Sequence, residues 1–199
     1  RFVSAYRKGH SCENVLVYLV DHWKKALDKN MVTGAVLMDL SMAFDCIPHG
    51  LLLAKLHSYN VSKSACSLIA SYISCRKQRV KISNVRSEWK TPTKGVPQGS
   101  GLGPLIFNIF MNDIFYFMEL CTLINYADDN SLVFSHNDID NVVGALRHDS
   151  NNAIKWFTDN GMKANPSKFQ VLFLKPKWNT SMLLPTDFRM LDEAICVSN

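Results

Sequence analysis

Two adjacent carboxylates, Asp128 and Asp129, stand between apolar runs in the stretch Leu123-Ile124-Asn125-Tyr126-Ala127-Asp128-Asp129-Asn130-Ser131-Leu132-Val133-Phe134. So short an interruption forces the chain to fold back in a tight hairpin that presents both acids at its tip. A further acid, Asp39, ends another strand-like run, Ala35-Val36-Leu37-Met38. If neighbouring strands of one sheet bring Asp39 and Asp128 together, their oxygens would hold two Mg²⁺ ions roughly 3.5–4 Å apart, as in-line phosphoryl displacement requires. The fold must therefore place strands distant in sequence side by side.

With 199 residues, 47% of them apolar and 20% charged, the chain can bury one core and belongs to the globular class. No repeat or linker divides it, so it reads as one continuous domain. Its first residue is Arg1, and Ala194-Ile195-Cys196-Val197 looks like a strand cut short, so a fragment of a longer protein is expected. No run reaches the roughly 18 apolar residues of a membrane span, and no cleavable signal is visible, which points to an intracellular setting without a membrane partner. The six cysteines form no C-x-x-C pair and read as reduced thiols. The six histidines lack zinc or triad spacing and read as surface or packing residues.

Punctuation and periodicity set out the elements. Val15, Leu16, Leu19, Val20, Trp23 and Leu27 predict a helix before the Asp39 strand. Two short helices follow, over about 50–58 and 62–73, then a hairpin with arms at 79–82 and 88–91. Leu102, Leu105, Ile106, Ile109, Phe110 and Phe117 predict one buried helical face. After the acidic hairpin, 138–160 is an amphipathic helix stopped by Gly161, and 169–174 a last strand. The order implies an α+β fold, a sheet with helices packed on one face.

Net charge is +5, but its distribution is uneven. Arg76, Lys77, Arg79, Lys81, Arg86, Lys90 and Lys94 crowd into one window with Glu88 as its single acid. Beside Tyr72 and Trp89, such a patch suits a nucleic-acid backbone, or equally a solvated charged hairpin. Gly95-Val96-Pro97-Gln98-Gly99-Ser100-Gly101-Leu102-Gly103-Pro104 cannot be an ordinary helix or strand. It is a shaped loop in which Gln98 offers a donor and an acceptor, and the helix after it turns free N–H groups toward phosphate.

Asp39-Leu40-Ser41-Met42-Ala43-Phe44-Asp45, Gly95-Val96-Pro97-Gln98-Gly99-Ser100, Tyr126-Ala127-Asp128-Asp129 and Asn165-Pro166-Ser167-Lys168 resemble, in order and spacing, the palm motifs of reverse transcriptases. The likeness is closest to LINE-type, jockey-like retrotransposons without long terminal repeats. Ser4-Ala5-Tyr6-Arg7-Lys8-Gly9-His10-Ser11 resembles a fingers segment of the same elements. The resemblance implies a right-hand polymerase palm with part of the fingers over residues 1–199, whose antiparallel sheet carries the catalytic carboxylates. The upstream fingers and downstream thumb lie outside this stretch.

It further implies that Asp39 and Asp128 ligate two Mg²⁺ ions, replaceable by Mn²⁺, with Asp129 as a weaker contributor and the Leu40 carbonyl as a further oxygen. Phe44 would lie under the incoming sugar and bar a 2′-hydroxyl. Gln98 and Gly99 would line the templating base and the nucleotide, and Lys168 would protonate the leaving pyrophosphate. Arg76, Lys77, Arg79 and Lys81 would grip the nucleic acid. The implied partners are an RNA template, a DNA primer and a dNTP, with room for an endonuclease fused in the parent protein. Cytoplasm and nucleus are the expected compartments of the parent element. Met42 stands where the family usually has lysine and Phe169 where threonine commonly follows the lysine; neither is a metal ligand. The expected function is RNA-directed DNA polymerisation. The rivals are a catalytically dead palm relic that only binds nucleic acid and an RNA-directed RNA polymerase, which Phe44 argues against.

Overall fold

The structure, a computed structural model, describes residues 2–179, 181–190 and 193–198. In chain order the elements are β1 (Phe2–Val3), α1 (Cys12–Asp28), β2 (Val32–Met38), β3 (Leu40–Ser41), α2 (Ala43–Cys46), α3 (His49–Ser58) and α4 (Lys63–Ser74). Then come β4 (Lys81–Ile82), β5 (Val85–Arg86), α5 (Gly103–Met111), a 3-10 helix (Asn112–Phe117), β6 (Thr122–Tyr126), β7 (Asp129–His136) and α6 (Ile139–Asp159). The chain ends in β8 (Lys163–Ala164), a short 3-10 turn (Pro166–Lys168), β9 (Gln170–Leu174), β10 (Phe188–Met190) and β11 (Glu193–Ser198).

Local chemistry sets most helix limits. Ser11 accepts the Asn14 N–H at the start of α1, Ser62 that of Ala65 at α4, and Asp138 that of Asp140 at α6. Beyond α6, Gly161 turns at φ +70, where a side chain would be strained and would strike Pro48.

Seven strands form one sheet in the order β1-β6-β7-β2-β9-β11-β10. The inner β6-β7-β2-β9 ladder is antiparallel, while β1 joins β6 and β11 joins β9 in parallel. The antiparallel centre agrees with the expected α+β class.

Alternation along β2 sorts the layers. Val32, Val36 and Met38 enter the main core with α3, α5 and α6. Gly34 leaves the room that α6 needs, since a Cβ there would come within 2.5 Å of Leu146 and 2.7 Å of Val142. Ala35 faces the other way, into a second cluster with Leu19, Ile124 and Val133. The helices thus pack chiefly on the expected face, and α1 covers part of the opposite one, where its Leu19 and Ala26 are buried.

Two expected details shift. The basic hairpin is tighter than its expected arms: β4 pairs with β5 directly, and only an isolated bridge, Gln78 to Lys90, reaches the second arm. The helical face after Gly101 also moves. α5 passes into a 3-10 helix at Asn112, which changes the spacing, and the buried residues are Ile106, Phe107, Phe110, Met111, Ile114 and Phe115. Leu102, Leu105 and Phe117 are exposed instead. Among the described residues no helix is long and apolar enough to cross a membrane.

Candidate active site

Register alone gathers the acids. Met38 pairs with Asn130 across β2 and β7, so one further residue along the same ladder sets Asp39 opposite Asp129. On the other side, Leu37 pairs with Gln170, and the same extrapolation sets Asp39 opposite Lys168. The side chains follow: Lys168 Nζ lies 3.1 Å from Asp39 Oδ2. The Asn165 N–H also donates to the Asp39 carbonyl, and β3 pairs with β8 through Leu40 and Ala164, which ties the Lys168 turn to the Asp39 strand.

Asp128 sits in the turn and Asp129 begins β7. The turn is sharp because Ala127 takes a left-handed φ of +56, a costly geometry for a residue with a Cβ. Asp129, Asp39, Tyr126 and Lys168 line one cleft of about 760 Å³, whose other wall is α1. Burial holds the Asp129 carboxyl above its ordinary pKa, and Asp128 and Asp39 push it further the same way. Negative charge is therefore in excess here, and Lys168 offsets only part of it.

That excess, on oxygen donors alone, fits a hard divalent cation. Among the described residues no three His, Cys, Asp or Glu side chains are gathered as a finished metal cage. An open carboxylate edge suits an ion that keeps waters and takes substrate phosphates as ligands.

A second cleft is lined by Asp128, the chain neighbour of Asp129, together with Phe44, Gln98, Gly99, Met42 and Tyr6. The Phe44 ring stacks on Phe107 with centroids 4.3 Å apart and meets Tyr6 edge-on at 6.3 Å. Gln98 Nε2 donates to Asp45 Oδ2 at 3.0 Å. Gly95 fixes the loop to this corner. It turns at φ +81, and a Cβ there would lie 2.7 Å from the Asp45 backbone, while its N–H donates to Ile47 and that of Val96 to Phe44. The structure thus brings Asp39, Asp128, Asp129, Phe44, Gln98, Gly99 and Lys168 to one end of the sheet, with Leu40 buried beside them in β3.

The basic residues stand apart from one another in kind. Lys77, Arg79 and Lys81 are exposed, with the Arg79 guanidinium 4.4 Å over the Trp89 ring. Arg76 is half-buried and donates to the carbonyls of Ile73 and Gly95, so its guanidinium braces the loop instead of facing solvent.

Sequence reasoning missed three features of the site. Tyr6, at φ +59, lines the second cleft, and burial followed by the charge of Asp128 raises its hydroxyl pKa. Asn125 and Asn130 lie buried beneath the acidic turn. Asp149 is buried in α6 and accepts the N–H groups of Glu119, Leu120 and Cys121 at 2.6–3.1 Å, anchoring the entry to β6. Tyr6 could have been suspected from its place in the fingers-like segment; the other two carry no sequence signal.

Residues 1–191 match the profile of the family described as reverse transcriptase (RNA-dependent DNA polymerase). The chain is 30% identical over 170 residues to the probable RNA-directed DNA polymerase from transposon BS of Drosophila melanogaster, a match covering 82% of this chain and 19% of that protein. To the RNA-directed DNA polymerase from mobile element jockey of Drosophila funebris it is 35% identical over 114 residues, 57% of this chain and 12% of that protein. The chain thus spans less than a fifth of the length of these curated relatives. Among solved structures, telomerase from Candida albicans in complex with the TWJ fragment of telomeric RNA superimposes with a TM-score of 0.62 at 16% identity, over 95% of this chain and 32% of that one. Apo telomerase from Candida tropicalis, truncated from the C-terminal domain, gives 0.62 at 16% identity, over 91% and 38%. At such identity the likeness speaks for the fold alone.

Proposed function

The chain belongs to the reverse transcriptase family, in its jockey-like branch from retrotransposons without long terminal repeats, and from that premise we propose that it forms the palm and part of the fingers of an RNA-directed DNA polymerase. The observation that carries the proposal is that Asp39 and Asp129 line one cleft, with the charges of Asp39 and Asp128 both felt at Asp129, while Asp128 lines the next cleft with Phe44, Gln98 and Gly99. The substrates would be a DNA primer on an RNA template and a dNTP.

In this reading Asp39, Asp128 and Asp129, with the Leu40 carbonyl, would hold two Mg²⁺ ions, for which Mn²⁺ can substitute. When bound, these ions lower the pKa of the primer 3′-hydroxyl and neutralise charge on the phosphates. The chain's own residues do the rest by positioning. Phe44, pinned between Phe107 and Tyr6, presents a fixed ring that a 2′-hydroxyl would strike. Gln98 and Gly99 border the space for the nucleotide and its templating base. Lys168, held by Asp39, can turn its ammonium toward the leaving pyrophosphate and give up a proton there. Lys77, Arg79 and Lys81 offer a sequence-blind hold on the phosphate backbone.

Asp128→Asn in the full-length protein tests the reading. Primer extension on RNA should fall by roughly 10³-fold or more, since several kcal/mol of charge stabilisation is lost. Extension that survives the substitution would refute it, and wild-type protein that binds RNA–DNA duplex without extending it would favour the relic.

A further inference from the structure

Asn125 and Asn130 face each other across β6 and β7 and are 0% and 1% exposed. Alternation places them in line with Leu123 and Leu132, on the side of the sheet that the helices cover. Apolar side chains would fill these positions at no polar cost, whereas a buried amide is tolerated only for the hydrogen bonds it makes.

Those bonds run to the acidic turn. Asn125 Nδ2 donates to the Ala127 carbonyl at 2.7 Å and to Asn130 Oδ1 at 2.9 Å. Asn130 Nδ2 donates to the Asp128 carbonyl at 2.9 Å. Each Nδ2 faces a carbonyl oxygen, so each must donate, which leaves Asn130 Oδ1 as the acceptor between them; only one orientation of the two amides satisfies all three bonds. Both carbonyls of the Ala127-Asp128 turn are thereby tied down from beneath. The tie spans the one residue of the hairpin whose φ is left-handed, and it costs the carboxylates none of their own lone pairs.

Resting on the reading of Asp128 and Asp129 as metal-holding acids, we infer that Asn125 and Asn130 form an amide clamp that positions the two carboxylates. They are positioning residues: neither touches substrate, and both act through the turn's backbone. Carboxylates cannot replace them, because Asp at either position would set an acceptor against a carbonyl oxygen.

The test uses the full-length protein carrying Asn125→Leu, Asn130→Leu, Asn130→Asp or Asn130→Ser. The last keeps a hydroxyl donor on a shorter side chain. Each variant is followed by thermal unfolding, by Mn²⁺ titration under EPR without nucleotide, and by primer extension resolved into kcat and KM. The clamp requires that the Leu and Asp variants weaken Mn²⁺ binding and lower kcat by roughly 10–100-fold, the usual scale for groups that orient metal ligands, with KM for dNTP little changed. Asn130→Ser should restore part of both. A fall in thermal midpoint with Mn²⁺ affinity and kcat intact would overturn the clamp and make the pair a packing feature. If Asn125→Leu does not fold, the Asn130 series decides alone. Survival of activity in Asp128→Asn defeats the polymerase reading itself, whereas its loss in Asp128→Asn alongside normal Asn130 variants defeats only the clamp.

Discussion

The acidic and the basic hairpin are built in opposite ways. The acidic one, 122–136, lies within the main sheet: Leu123, Asn125, Asn130 and Leu132 are buried, and Asp149 holds its entry from α6. The basic one, 78–90, is an outlying two-stranded ribbon in which every residue is exposed. The turn that carries Asp128 and Asp129 is tied from beneath by the buried amides of Asn125 and Asn130. The cations that would hold a polyanion need no such support, because a phosphate backbone offers charge everywhere and rewards reach over position. Arg76, at the root of the ribbon, is the exception, since it belongs by its bonding to the supported region.

The largest test of this contrast is Asp149→Ala. It strips three backbone N–H groups of their acceptor, that of buried Cys121 among them, and should cost roughly 2–4 kcal/mol in urea unfolding of this chain. A cost near zero would mean that the acidic hairpin is not anchored from α6. Arg76→Ala comes next, at about 1 kcal/mol, because His49 Nε2 also lies 2.8 Å from the Gly95 carbonyl and keeps it partnered. By contrast, Lys77→Gln, Arg79→Gln and Lys81→Gln together should change stability by no more than about 0.5 kcal/mol. The same triple variant should weaken RNA–DNA binding by the full-length protein and flatten its dependence on salt. An unchanged salt slope would leave the ribbon a solvated surface.

What could be read from the sequence follows the same division. The helix starts near Ser62 and Asp138 and the turn at Ala127-Asp128 are local events, so residue type and spacing reveal them. That Asp39 lies beside the acidic hairpin was legible because strand registers leave little freedom once the motifs are in order, although the register sets it opposite Asp129 and not Asp128. The supports were not. Asn125, Asn130 and Asp149 are polar residue types usually found facing solvent, and only the depth of their surroundings reveals their bonding. Lys55 is similar: it looks like a surface lysine of α3, but it is buried against Phe110 and Trp156, pairs with Asp113 at 2.7 Å, and its pKa is lowered chiefly by desolvation. Phe117 leaves the expected face because the chain tightens to a 3-10 helix at Asn112, whereas Leu102 precedes α5 and Leu105 lies on its exposed side.

The smallest expected effect is the one that separates the hairpins most cleanly, because it has opposite signs for stability and for function. Asp129 in the folded chain holds its proton to higher pH than an unfolded carboxylate, through burial first and then through Asp128 and Asp39. Near neutrality the folded state therefore carries a burial cost for the charged carboxylate, and a smaller repulsion, that the unfolded chain escapes. Below the raised pKa the folded carboxyl is protonated and the penalty is gone; it returns as pH rises through that value. Asp129→Asn should accordingly raise the thermal midpoint of this chain slightly at neutral pH. The gain should shrink as the pH is lowered through the carboxyl range, and primer extension by the full-length variant should fall. Neutralising Lys81, exposed on the ribbon, should show no such pH-dependent gain. If Asp129→Asn lowers the midpoint at neutral pH, the three acids do not repel one another enough to matter, and Lys168 has already balanced the site.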